Sequence, residues 1–202
     1  MTHTLVLPYG PHAALVECEP GQAVALGQAL LRTSQFREVV PAECSVLVTM
    51  PPEMTLADVR GLIASLPATL PIADGRDIEI PTVYDGADLE LVANAVQLSV
   101  EEVILRHSAT TYFAAFAGFA PGYVYCTGLD RSLWLPRRPS PRTSVPAGSV
   151  AIADAYAAVY PQASPGGWHL IGRTDLTLFD LSKSEPALIR PGDRVRFTVR
   201  TS

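Results

Sequence analysis

The 202-residue chain contains only three cysteines, Cys18, Cys44 and Cys126, far apart in sequence and without a CxxC pair. That is not the pattern of a disulfide framework or a thiolate metal cluster, and an odd count fits a reducing compartment where each thiol packs as a small apolar group. Charge is also scarce: charged residues make up 17% and the formal net charge is -5. There is therefore no electrostatic case for nucleic acid or an anionic membrane as a partner. No HExxH, cysteine-histidine cluster or EF-hand loop is present, so no resident metal is expected. There is no GxxxxGK[ST], and GGWHLIG (Gly166 to Gly172) is not a GxGxxG lying between a strand and a helix. Any nucleotide would bind by another route or on another subunit. No apolar run approaches the length of a membrane span, and MTHTLVLPYG at the start lacks a basic region followed by a long apolar run. The expectation is a soluble, cytoplasmic protein.

What the chain does have is 48% hydrophobic residues, with 14 glycines and 18 prolines concentrated between Gly118 and Gly167. Its length suffices for one large domain or two small ones. In the first part, HAALVEC reads as a strand, QAVALGQALL as a helix, and FREVV and CSVLVTM as two short strands joined by a tight connection at PAE. Thr55 and Asp58 form a capping-box pattern ahead of Leu56, Val59, Leu62, Ile63 and Leu66, which share one helical face before Pro67. Alternating strand and helix predicts a small sheet covered by helices, an α+β unit. RDIEIPTVYDG gives a strand and a turn, and the domain boundary is placed there, with 1–84 on one side and 85–202 on the other. Two helices follow, one capped by Asp88 and one opened by a second capping box at Ser99 and Glu102. Beyond them TYFAAFAG, SVAIADAYAAVY, GWHLIG, LTLFDL and RVRFTV are short apolar runs separated by turn signals. Such spacing predicts a small β-barrel or sandwich.

Four groups of residues bear on chemistry. PRRPSPR carries Arg137, Arg138 and Arg142 between prolines that disfavour helix. Guanidinium groups on a stiff extended loop suit a small anionic substrate, the alternative being a solvated basic loop or internal salt bridges. GFAPGYVY sets Phe119, Tyr123 and Tyr125 among Gly118, Pro121 and Gly122, which fits a pocket wall or, more simply, a turn packed on the core. His107 follows Ile104 by three residues and Val103 by four, near a helix C-terminus. It is a candidate general base or a histidine that the helix dipole merely stabilises. His169, between Trp168 and Leu170, has a similar claim. PGDRVRF reads as a turn entering the last strand.

The stretches HSATTYFAAFAGFAPGYVY, LPRRPSPRTSVPAGSVAIA, VYPQASPGGWHLIGRT and LFDLSKSEPALIRPGDRVRF resemble, in order and spacing, the bacterial family that includes the B component of ATP-dependent 5-oxoprolinase, allophanate hydrolase subunit 1 and the KipI sensor-kinase inhibitor. The chain is also similar to part of the carboxyltransferase region of urea carboxylase. The resemblance implies an α+β class, with a small N-terminal α+β domain followed by a cyclophilin-like β-barrel. It also implies a larger partner of the carboxyltransferase-like or allophanate hydrolase subunit 2 type, a third subunit in the 5-oxoprolinase case, and ATP, which a partner subunit can supply the site for. The reaction implied is ATP-dependent opening of a small carboxylate-bearing lactam or amide. In that setting Arg138 and Arg142 would hold the carboxylate, Phe119, Tyr125, Tyr160 and Trp168 would shape the pocket, and His107 or His169 would move a proton. The Gly/Pro/Arg segment would be the wall of a cleft shared with the partner. KipI-like docking on a sensor histidine kinase, or a biotin-linked carboxyltransferase role, are the other activities the resemblance implies. Two departures stand out: Tyr123, Val124 and Cys126 replace the family's Phe, Pro and Leu, and Ala153 to Pro161 lacks the family's GGxQTGxYP glycines and Gln-Thr pair. The second removes backbone freedom and polar groups beside the expected cleft.

Overall fold

The computed structural model describes residues 5–67, 69–70 and 75–201, and the chain divides into two compact units at Gly75–Arg76. Unit 1 is an antiparallel sheet of β1 (Val6–Pro8), β2 (Ala13–Glu17), β3 (Glu38–Pro41) and β4 (Ser45–Thr49), in the order β1-β2-β4-β3. The tight connection expected at PAE is a turn in which Ala42 N–H donates to the Ser45 carbonyl at 2.8 Å. Residues alternate along β2 and β4, so Ala14, Val16, Val46 and Val48 all face the core. Helices α1 (Ala23–Arg32) and α2 (Leu56–Ser65) cover that face with Leu26, Leu30 and Val59. The capping box opens α2 as expected: Thr55 Oγ1 accepts from Asp58 N, and Asp58 Oδ2 accepts from Thr55 N at 2.8 Å.

Unit 2 is a seven-stranded sheet that curls until its ends nearly meet. It contains β5 (Asp77–Thr82), β6 (Thr111–Ala117), β7 (Val124–Thr127), β9 (Ser149–Ala153), β10 (Tyr156–Val159), β12 (His169–Arg173) and β13 (Arg194–Val199), in the order β12-β9-β10-β7-β6-β13-β5. A separate two-stranded ribbon pairs β8 (Arg142–Val145) with β11 (Ser164–Gly166). At the seam, Val83 and Arg173 exchange backbone hydrogen bonds of 2.9 and 2.8 Å, and Asp88 N–H reaches the Leu170 carbonyl at 2.9 Å. The backbones come this close because residue 86 has no side chain: a Cβ on Gly86 would lie 2.4 Å from the Leu170 oxygen. Helices α3 (Leu89–Val96) and α4 (Val100–Ser108) add Val92, Ala93 and Val103 to the barrel core around Tyr112, Ile152, Ile171 and Phe197. Ser99 and Glu102 form the second capping box.

Three expectations are corrected here. The division falls before RDIEIPTVYDG, at 75/76, rather than within it at 84/85, because β5 runs parallel to β13 and belongs to the barrel sheet. LTLFDL is not a strand: Phe179 makes a single bridge to Ala187, and Asp180 turns its carboxylate back onto Ser182 N–H and hydroxyl. Cys44 is exposed and Cys18 partly so, leaving Cys126 as the buried thiol. The turn read at PGDRVRF is present, fastened by buried Asp193, which accepts from Arg190 N–H at 2.8 Å and from the Arg76 guanidinium at 2.6 Å. Among the described residues no helix is long and apolar enough to cross a membrane.

Candidate functional site

The charged part of the site is assembled by the barrel seam. Asp88 lies where the chain leaves the seam for α3, and it does not cap that helix with its side chain. Its carboxylate instead accepts from Arg138 Nη1 at 2.6 Å, from Arg142 Nη2 at 2.8 Å and from Leu170 N–H at 2.8 Å. Burial pushes the Asp88 carboxyl up, but the hydrogen bonds from Arg142 and Leu170 and the charges of Arg142 and Arg138 outweigh it and hold the group below the usual carboxylate range. Arg142 starts β8 and pairs with Gly166, while Arg138 N–H donates to the Gly167 carbonyl at 2.7 Å. The ribbon and the proline-rich loop thus deliver both guanidinium groups to one carboxylate.

The ionic balance of this cluster is uneven. Two guanidinium charges face one carboxylate, and Arg138 Nε and Arg142 Nη1 are shielded atoms with no acceptor among the described residues. Each arginine keeps about a quarter of its side chain open, 26% and 24%. Next to Leu170 is His169, 7% exposed, whose Nε2 is 2.9 Å from the Pro136 carbonyl and whose Nδ1 has no partner among the described residues. Because a carbonyl only accepts, Nε2 carries the hydrogen of that bond. The cluster therefore sets two guanidinium charges against one carboxylate, and the part of each arginine that stays open carries the unbalanced positive charge.

The aromatic part adjoins through Trp168. Tyr123 is the hub, with ring centroids 5.2 Å from Phe119, Tyr125 and Tyr160 and 5.9 Å from Trp168. All are edge-on contacts of the kind aromatic rings favour. Tyr123, Tyr160 and Trp168 are buried, so Tyr160 and Trp168 underlie the surface rather than line a pocket as expected. Tyr125 is partly open and Phe119 is 61% exposed. Phe119 also has φ +68, a left-handed conformation that costs a bulky residue free energy. The Gly166 position lets Tyr160 approach: a Cβ there would lie 2.3 Å from its hydroxyl. The alanine-rich segment that departs from the family pattern runs from the last residue of β9 through β10, and its Ala153 and Ala158 pack in one cluster with Tyr123, Tyr160 and Trp168.

Of the two histidines, His107 is removed from the candidates. Its ring is fully buried among Tyr84, Tyr112 and Phe197, with Nδ1 2.8 Å from the Tyr84 hydroxyl. Burial lowers its pKa to about 3. Helix α4 presents it to the core because it shares a face with Val103, which sequence spacing already indicates. Arg137 is the outward member of its loop, facing Asp154 at 3.7 Å with both side chains exposed. Sequence reasoning misses Asp88 as a member of this site, since one Asp ahead of a helix looks like a cap; its partners lie 50 to 82 residues away in sequence. At Gly166 and Gly167, the Tyr160 hydroxyl fills the space beside Gly166 and Arg138 N–H donates to the Gly167 carbonyl. Among the described residues no group of three or more His, Cys, Asp or Glu could hold a metal.

A nearly closed barrel with helices over one core, preceded by a small α+β unit, is the architecture of the carboxyltransferase class. The sequence model described as "Carboxyltransferase domain, subdomain C and D" matches residues 4–189. Within that class the chain belongs to the family of the 5-oxoprolinase B component: it is 40% identical over 201 residues to the 5-oxoprolinase B component of Escherichia coli O157:H7, covering 93% of this chain and 92% of that one. The crystal structure of TTHA0988 superposes with a TM-score of 0.84 at 33% identity, covering 95% of this chain; this chain spans 40% of it. The Kluyveromyces lactis urea amidolyase, at 18% identity, TM-score 0.70 and covering 98% of this chain and 15% of that one, shares the fold.

Proposed function

We propose that this chain is the smaller subunit of an ATP-dependent amidohydrolase complex acting on a small carboxylate-bearing lactam or amide, with 5-oxoproline the first candidate. The observation that carries the reading is the Asp88–Arg138–Arg142 cluster, where two guanidinium groups on one buried carboxylate leave charge and donors unspent. A substrate carboxylate would complete them, Phe119 and Tyr125 would cover its apolar ring, and His169 Nδ1 would accept a proton. The name of the Escherichia coli relative and the resemblance to urea-handling enzymes support the reaction class. ATP would be held by the larger subunit, since this chain has no GxxxxGK[ST] and no GxGxxG between a strand and a helix. The longer TTHA0988 chain, in which a similar unit makes up 40%, supports a partner whose surface completes the cleft.

The test is ATP hydrolysis by this chain co-expressed with a larger carboxyltransferase-like partner, with 5-oxoproline and a panel of small amides. Substrate-stimulated hydrolysis is expected. A tight complex that no amide stimulates would overturn the proposal and leave a docking protein, such as a kinase-binding one. In the active complex, Arg142→Ala should raise KM at least about tenfold or abolish turnover.

A further inference from the structure

We propose that Cys18 and Cys44 are an oxidisable pair that closes to an intramolecular disulfide across the β2–β4 ladder. The ladder runs Ala13↔Thr49 to Glu17↔Ser45, so its next step places Cys18 opposite Cys44. The pairing does continue there, because Cys18 N–H donates to the Cys44 carbonyl at 2.9 Å. Residues opposite each other and joined this way have Cα atoms about 5.5 Å apart, inside the roughly 4.4–6.8 Å that a disulfide spans. The period of two puts both side chains on one face: Cys18 follows Ala14 and Val16, and Cys44 precedes Val46 and Val48, all of them core-facing. Cys18 rests partly buried against that core and Cys44 is exposed. The pair sits in unit 1 and does not depend on the reading of the barrel site.

Exposure fixes the order of events with a low-molecular-weight disulfide as oxidant. The Cys44 thiolate attacks one sulfur of glutathione disulfide, forming a mixed disulfide and releasing one glutathione thiolate. The Cys18 thiolate then attacks the Cys44 sulfur, releasing the second. Two protein thiols lose two protons and two electrons, and the oxidant is reduced to two thiols. Burial, with the neighbouring Cys44 and Glu19 charges, raises the Cys18 pKa to about 11; burial, with Glu43 and Glu19, raises that of Cys44. Closure is therefore slow at neutral pH and faster in mild alkali. Cys126 is an internal control, buried in the barrel with its pKa raised to about 12 by burial and by Asp193.

The full chain would be incubated with glutathione disulfide at pH 7 and pH 9, then denatured, alkylated and measured by intact mass and peptide mapping. Expected are one alkylatable thiol, at Cys126, and a Cys18–Cys44 linked peptide that dithiothreitol dissolves. Cys18→Ser should stop at glutathione carried on Cys44, and both it and Cys44→Ser should keep the wild-type circular dichroism. Three free thiols after prolonged oxidation at pH 9, or glutathione retained on wild-type Cys44 without closure, would overturn the proposal. The closed form should also show a higher urea midpoint than the reduced form, because the link closes the chain around α1 and β3.

Discussion

Asp88 shows how one residue can fasten segments that are distant in sequence. Its carboxylate satisfies Leu170 N–H and holds two arginines in place. Replacing it with Ala strands a buried amide and two partly buried guanidinium groups, which should cost about 2–4 kcal/mol, measured by urea denaturation. Phe119 is the opposite case. It is exposed and left-handed, so Phe119→Gly should leave stability unchanged or raise it by about 1 kcal/mol while weakening substrate or partner binding. Equal losses of stability and binding would mean that its ring is part of the core. His107 sets a pH dependence. The unfolded chain binds a proton there below about pH 6.5 and the folded chain only near pH 3, so protons favour unfolding throughout that interval. Stability should therefore fall as pH falls, by up to about 1.4 kcal/mol per pH unit, and His107→Asn should flatten that part of the profile. An unchanged slope would show that other groups govern it.

At the scale of elements, the seam decides whether the barrel closes and whether Asp88 meets its arginines. Gly86→Ala would drive a methyl group into the Leu170–Gly172 backbone and should destabilise unit 2 by about 3 kcal/mol, with loss of hydrogen-exchange protection first at Val83 and Arg173. Protection unchanged at those amides would mean that the seam contributes little. The capping boxes at Thr55–Asp58 and Ser99–Glu102 are legible in the sequence because their partners are three residues apart. Asp88 deceives the same logic: the cap position is real, but its carboxylate is turned toward charges that only the fold brings near. LTLFDL alternates like a strand and has a bridge at Phe179, but an Asp-centred turn takes the chain out of the sheet.

At the scale of the whole molecule there are two units with separate cores, one around Val16, Leu30 and Val48 and one around Tyr112, Ile152 and Phe197. Leu30→Ala should therefore cost about 2–5 kcal/mol in unit 1, seen as faster exchange along β2 and β4. The charged cluster and the aromatic cluster both belong to the barrel unit, where strands distant in sequence converge.

The sequence by itself determined the α+β class, most strands and helices, both capping boxes and the family. These follow from local periodicity, short-range hydrogen bonds and long motifs, all of which are written along the chain. Only the tertiary structure decided that β5 joins the barrel, that Tyr160 and Trp168 lie beneath the surface, and that Asp88 holds the arginines. Each of these depends on contacts between segments far apart in sequence, where burial and charge pairing are set by the closure of the sheet and not by neighbours along the chain.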